Sequence, residues 1–271
     1  MISGSHGNFG TMNYFMLRHA RPLLLREKLF FHTHAREYWP HGVESAKLQL
    51  APVTLRHLRK TDLMHRQIAW IGFYDLTLSK HIARLAAKGG TLVDVGANIG
   101  YFSCLWAAAR PGNRVYAFEP SPRVFHLLKA NIEEAGVCSS VKAYQLVLSK
   151  EKKQIQFDPG PEGQSGWGGI TNEVGRETIL MQADRLDDVM PADLYVEVLK
   201  IDTEGADAWV LEGAERLLSS HHIRHIFFEQ NVERMSKLGI PVDAAFRILQ
   251  SCGYKVNALG RDGTAFWACP A

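Results

Sequence analysis

Acidic residues recur in this chain at the ends of apolar runs, and two of these runs turn into glycine. "LVDVGANIGYFS" carries Asp94, Gly96, Asn98 and Gly100, and "LKIDTEGAD" carries Asp202, Glu204 and Gly205. "YAFEPSP" contains Glu119, and "IFFEQN" contains Glu229 with Asn231 behind it. A carboxylate at such a point can accept hydroxyl protons or balance a cation, while glycine lets a ligand approach where a Cβ would collide. A helix opening one turn later adds free amide donors.

The elements that must position these groups follow from hydrophobic periodicity. "TLVDVG" is a short β-branched run of the buried-strand kind, followed by a helix from Ile99 to about Arg110 that stops before Pro111-Gly112. "RVYAFEP" repeats the strand. "SPRVFHLLKANIEEAG" repeats the helix, with Ser121 as N-cap, Pro122 at the first helical position and Gly136 at the end. "VKAYQLVLS" reads as a third strand and "KKQIQF" as a hairpin arm, with a glycine- and proline-rich loop from Asp158 to Gly175. "ETILMQA", "LYVEVLKID" and "IRHIFFEQ" read as strands, and "RLDDVM", "ADAWVLEGAERLLSS" and "VDAAFRILQSCG" as helices. "YKVNAL" and "TAFWACP" form a closing pair. Alternation of this kind predicts an α/β fold with a doubly wound, mostly parallel sheet covered by helices on both faces. Ligands of such sheets sit beyond the carboxyl ends of the strands, where the acidic residues fall. Residues 1–88 are expected to form a small α/β or helical extension on the acceptor side or for oligomerisation, and residues 89–271 the ligand-binding domain.

Two ligand classes use a glycine turn at a helix start. A dinucleotide rests its pyrophosphate there and favours G-x-G-x-x-G, but here Asn98 and Ser103 break that pattern. A carboxylate at Asp94 would repel pyrophosphate and attract an amino and sulfonium group, which favours S-adenosylmethionine. Glu119, about 20 residues past the glycines, suits a ribose of either cofactor. The bland alternative makes Asp94 a loop cap and Glu119 a surface charge. An NAD-dependent oxidoreductase and a non-catalytic cofactor-binding scaffold are the rival functions.

"VDVGANIGYFS", "AFEPSP" and "LKIDTEGAD" together resemble the FkbM family of S-adenosylmethionine-dependent methyltransferases, over roughly residues 72–259. The resemblance implies a seven-stranded Rossmann-like sheet and methylation of a hydroxyl oxygen on a sugar, glycolipid or polyketide-type small molecule. It also implies a cofactor set of Asp94, Gly96, Ala97, Asn98, Gly100, Tyr101, Phe102, Glu119, Pro120, Val147 and Asp202. Within that set Glu119 would take the ribose, and residues near Leu146 and Val147 the adenine edge.

Methyl transfer to oxygen needs alignment and one proton acceptor. Asp202 is expected nearest the donor's cationic end or the acceptor hydroxyl, with Glu229 or Glu204 as acceptor binder or base. Glu204 reads equally well as a charge complementing a helix N-terminus. Lys200 either pairs with one of these acids or points to solvent. Asp202, Glu229 and Asn231 would make an oxygen-rich magnesium set if they converged, but no metal is expected. His126, His221 and His222 rank behind the carboxylates. In the glycine-rich loop, Trp167 could stack on an acceptor ring and Ser165 hydrogen-bond a hydroxyl, or the loop is a linker. Trp39, Trp70, Phe73 and Tyr74 line an acceptor pocket or seal the leading core.

Composition sets the outer bounds. With 271 residues and 46% hydrophobic content the chain can bury a sizeable core. Its longest uncharged apolar runs fall short of the roughly 20 residues of a membrane span, and its first 30 residues lack a signal-peptide layout. A cytoplasmic protein is expected. Cys104, Cys138, Cys252 and Cys269 show no CxxC spacing and read as reduced, mostly buried thiols. Residues 1–90 hold 13 Lys/Arg against 5 Asp/Glu and eight of the twelve histidines, His32, His34 and His41 among them. Without a dense like-charge run, this basic leader reads as a solvated face and no nucleic-acid partner is expected. A homo-oligomer is left open.

Overall fold

A computed structural model describes residues 17–33, 39, 43–173, 178–260 and 263–271. His34, His41, Gly175 and most of "REYWPHGVE" lie outside them. The leading segment supplies helix α1 (Leu23–His32), a strand pair β1 (Ala46–Lys47) and β2 (Thr54–Leu55), and helices α2 (Leu63–Ile71) and α3 (Leu76–Ala86). Then come β3 (Thr91–Val95), α4 (Tyr101–Ala109), β4 (Arg114–Phe118), α5 (Pro122–Glu134) and β5 (Val141–Tyr144). An insertion follows, made of β6 (Val147–Leu148), β7 (Lys153–Asp158), β8 (Gly169–Ile170) and β9 (Ile179–Asp184). The chain closes with α6 (Leu186–Val189), β10 (Val196–Ile201), α7 (Asp207–Glu212), α8 (Glu215–Ser219), β11 (Ile223–Glu229), α9 (Val232–Leu238), α10 (Ala244–Ser251), β12 (Tyr254–Ala258) and β13 (Ala265–Pro270).

Seven strands form the central sheet in the order β12-β13-β11-β10-β3-β4-β5, parallel except where β13 runs against both its neighbours. This is the expected fold class. Every residue of β3 and β10 is buried, as central parallel strands covered by helices on both faces require. Two charged residues, Asp94 and Lys200, nevertheless sit side by side in these strands. Strand order reverses between β3 and β10, which places the loops after them at the sheet's binding edge.

Three sequence expectations need correction. The third strand stops at Tyr144, and Val147–Leu148 pair instead with β9 in a separate four-stranded sheet, β6-β9-β7-β8. Helix α9 was not expected: it is short and rests on capping by Asn231, whose side chain accepts from Arg234 N. Of the cysteines only Cys104 is buried, and Cys138 is exposed.

One core cluster joins Phe30, Trp70, Phe73 and Ile82 of the leading segment to Leu92, Trp106 and Phe227 of the sheet, so residues before β3 cover one sheet face directly. Trp70 and Phe73 are fully enclosed core residues, and Trp39 packs against the same cluster. Among the described residues no helix is long and apolar enough to cross a membrane.

Candidate functional site

The site is built from loops that touch one another at the strand ends. Gly96, at φ +74°, sits against the turn after β10, where an added Cβ would overlap the Asp202 carbonyl oxygen. The Asp202 amide donates to Val95 O at 3.0 Å, and the Gly96 and Ala97 amides both donate to Phe118 O at 2.9 Å. Three adjacent strand ends are thereby locked together. Asn98 takes a left-handed conformation, and Gly100 caps α4 with φ +89°, which is why this helix begins at Tyr101 rather than Ile99.

Glu119 is buried and fastens the same loops. One carboxylate oxygen accepts from Asn98 N and the other from Ser121 N, each at 2.9 Å. Burial pushes its carboxyl up to about 7, against the pull of these two donors.

Lys200 resolves the alternative left open for it. The side chain is buried; its Nζ donates to Gly96 O at 2.8 Å and lies 3.2 Å from Asp94 Oδ1 and 3.6 Å from Asp202 Oδ2. Burial lowers its pKa, but the two carboxylates outweigh burial and hold it above the usual lysine value. Asp94, fully buried, also accepts from Ser103 Oγ at 2.7 Å. It therefore faces the protein interior, while its neighbour Val95 faces the ligand side.

Asp207, not singled out from sequence, organises the acidic edge. Its carboxylate accepts from the Thr203 amide and hydroxyl on one oxygen and from Glu229 N at 2.9 Å on the other, tying the turn after β10 to the end of β11. Burial pushes this acid up to about 6. The only signal in the sequence was a threonine four residues before an aspartate. Glu204, at φ +54°, accepts from Asn231 Nδ2 at 3.0 Å and lies 3.7 Å from Arg234 Nε. Because Asn231 Oδ1 already accepts from Arg234 N, its side chain serves the α9 cap and Glu204 rather than an octahedral set with Asp202 and Glu229. Among the described residues no group of three or more His, Cys, Asp and Glu is arranged to hold a metal ion.

Between these loops lies a cleft that, with the solvent it opens onto, encloses about 570 Å³. Its wall includes Gly96, Asn98, Glu119, Pro120, Leu146, Val147, Ser165 and Asp202. Asp94, Ala97, Gly100, Tyr101 and Phe102 stand behind this wall; the Tyr101 hydroxyl, for instance, lies 3.0 Å from Ser79 Oγ. The glycine-rich loop folds over the cleft. Arg234 holds it there by donating to Trp167 O at 2.7 Å, and the Ser165 amide donates to Asp62 at 2.6 Å. The Trp167 side chain is 56% exposed and lies outside the cleft wall.

Asp202 also borders a second recess of about 240 Å³, shared with Lys200 and Glu229. Glu229 in turn borders a third, of about 870 Å³, lined by residues of the leading segment that include Glu27, Gln67, Tyr74 and Asp75. The Glu229 carboxyl is raised to about 8, by partial burial first and then by the fields of Asp202, Asp75 and Asp207. His126 lies exposed on α5, and His221 and His222 precede β11 at the opposite end of the sheet. None of the three lines these recesses.

A parallel sheet with a glycine turn at its reversal point and acids at successive strand ends has the layout of a nucleotide-cofactor site, and comparison with known proteins gives the class. The chain belongs to the FkbM family of methyltransferases: the profile of the methyltransferase FkbM domain matches residues 94–256. It is similar to methyltransferase 1 of Beauveria bassiana, 32% identical over 145 residues that cover 46% of this chain and 58% of that one. It is also similar to the 31-O-demethyl-FK506 methyltransferase FkbM of Streptomyces tacrolimicus, 30% identical over 196 residues covering 60% and 72%. The chain thus spans little more than half the length of the Beauveria relative. Among solved structures, an S-adenosylmethionine-dependent O-methyltransferase from Thermotoga maritima aligns with a TM-score of 0.44 at 12% identity, covering 73% of this chain and 66% of that one.

The cofactor of this family is S-adenosylmethionine, and the cleft fits it. Among the described residues Ser165 Oγ is buried there without a hydrogen-bond partner and the cleft wall itself includes no lysine or arginine, while Glu119 retains free lone pairs and Asp202 brings a carboxylate to the wall.

Proposed function

We propose that this chain is an O-methyltransferase that moves the methyl group of S-adenosylmethionine to a hydroxyl of a small molecule of the sugar, glycolipid or polyketide type. One observation carries the reading. Asp202 closes the cofactor cleft and shares the next recess with Glu229, which opens the third. Donor side and acceptor side therefore meet at two neighbouring strand ends. The Streptomyces tacrolimicus relative is named for a 31-O-demethyl substrate, and that name supports oxygen as the receiving atom.

When bound, the cofactor supplies an electrophilic methyl group on a cationic sulfur. Glu119 accepts from the ribose hydroxyls, and the Gly96–Asn98 turn admits the methionine part where side chains would block it. Asp94 acts from behind, fixing Lys200 and, through it, the Gly96 carbonyl. Asp202 presents its half-open carboxylate toward positive charge, and Glu229, with a carboxyl near neutrality, takes the acceptor's proton. The leading segment forms the acceptor side, since its α1, α2 and α3 region walls the third recess.

Incubating the protein with tritiated S-adenosylmethionine and a panel of hydroxyl acceptors tests this. Label is expected in an alkali-stable ether. Transfer only to nitrogen or carbon, or failure to bind the cofactor by calorimetry, overturns the reading.

A further inference from the structure

Helix α1 is apolar on both its sides. Leu23 and Phe30 turn inward, and the buried Arg26 fastens the same side by donating to Ala20 O at 2.7 Å and to Ile71 O at 3.1 Å. With its inner side anchored in this way, an ordinary surface helix would turn polar residues outward. Instead Leu24, Leu25, Leu29 and Phe31 stand there, each between 36% and 49% exposed. Helical spacing sets Leu24 and Phe31 in one row and Leu25 and Leu29 in a second, with the exposed Lys28 between the rows. A contiguous apolar patch of this kind marks a contact surface.

Charge and position identify what covers the patch. Within residues 17–33 Glu27 is the one acid, and it lines the third recess, where it accepts from Leu76 N at 3.1 Å. Arg21, Lys28 and His32 are exposed around the apolar rows. A second copy of the chain fits this surface poorly, because a twofold contact centred on the patch sets Lys28 against Lys28 with no carboxylate of α1 to answer them. A bilayer surface accepts both features: leucine and phenylalanine enter the acyl boundary while lysine and arginine reach back to anionic headgroups. Phe31 adds the positional argument, since it belongs to the patch and also to the wall of the third recess, which Glu229 borders. We infer that α1 is a membrane-docking helix that lays its outer side on an anionic lipid surface, and that the acceptor is a lipid whose hydroxyl-bearing head enters from that surface past Phe31. The docking stands on α1 itself, and the choice of acceptor rests on the methyltransferase reading above. At ten residues α1 is too short to span a bilayer and long enough to lie along one.

The test is flotation of the full chain, saturated with S-adenosylhomocysteine, with vesicles of phosphatidylcholine alone and of phosphatidylcholine mixed with phosphatidylglycerol. The protein is expected to float with the mixed vesicles and to partition at least about tenfold more weakly onto the neutral ones, a difference that shrinks with added salt. Leu25→Glu combined with Leu29→Glu lowers partition onto the mixed vesicles about tenfold or more, and Lys28→Gln cuts their advantage over the neutral ones about threefold. Leu180→Glu, at an exposed leucine of β9, changes partition by less than about twofold, because that strand lies outside the patch. All of these variants keep the thermal midpoint and the S-adenosylhomocysteine affinity of the parent. Absence of flotation, or flotation untouched by the α1 substitutions, overturns the inference. A dimer seen by light scattering and dissolved by Leu25→Glu with Leu29→Glu overturns it as well, in favour of a second copy. Flotation as expected, with no tritium transferred to any hydroxyl, lipid-borne or free, would sink the methyltransferase reading and leave the docking in place.

Discussion

Lys200 Nζ lies 3.2 Å from Asp94 Oδ1, on neighbouring strands at the centre of the sheet, with Asp94 fully enclosed. This pair stands where aliphatic side chains would ordinarily pack. Its ammonium also grips the Gly96 carbonyl, so it holds the glycine turn in place from beneath.

Removing one member should therefore cost more than an exposed ion pair would. Asp94→Asn leaves a buried ammonium with only Asp202 to answer it, and is expected to destabilise the fold by about 3 kcal/mol. Urea unfolding measures this directly. A loss below about 1 kcal/mol would mean that the pair is not closed in solution.

Gly96→Ala is expected to lower cofactor affinity about 100-fold, because the new Cβ has no room beside the Asp202 carbonyl and the left-handed backbone disfavours it. Strain and overpacking each contribute about 1–3 kcal/mol, and 1.4 kcal/mol is a factor of ten. Calorimetry with S-adenosylhomocysteine supplies the readout, and unchanged affinity contradicts the placement of this turn.

Glu229→Gln should leave cofactor affinity within about twofold and slow transfer by about 10²–10⁴. In the parent protein kcat/KM is expected to rise with pH and level off above about 8, since the base works only when deprotonated. In the variant that limb disappears. Parallel loss of cofactor binding and transfer would place Glu229 in the donor site instead.

The same raised acids set a stability trend. Glu119 and Glu229 keep protons up to about 7 and about 8 in the folded chain, whereas the unfolded chain loses them near 4.5. Their contribution is complete below that value and is lost as pH climbs through 7 and 8. His225, depressed to about 4 from 6.5 chiefly by burial, works in the opposite sense, but only below 6.5. The ligand-free protein should thus lose thermal stability from pH 6.5 to 8, with a shallower slope in Glu229→Gln. A midpoint that rises over this window refutes the assignment.

Much of this arrangement was legible in the sequence from residue 90 onward, because strand and helix periods alternate cleanly there and glycine marks the turns. Asp202 and Glu229 could be placed at strand ends by position alone, and they share one recess. Asp94 shows where such reading stops. Strand residues alternate faces, and a shift of one position decides whether a side chain meets the ligand or the interior; Val95 reaches the cleft and Asp94 does not. The break after Tyr144 was hidden because "VKAYQLVLS" stays apolar while the chain changes sheets. The fixing of the glycine-rich loop was not legible either, because it runs through the main chain at Trp167, which accepts from Arg234, and leaves the indole 56% exposed.

The double grip of Asp207 on Thr203 and Glu229 has a mechanical corollary. The turn that carries Asp202 and Glu204 and the strand end that carries Glu229 hang on one carboxylate, so a displacement of either is handed to the other and the corner between them moves as one piece.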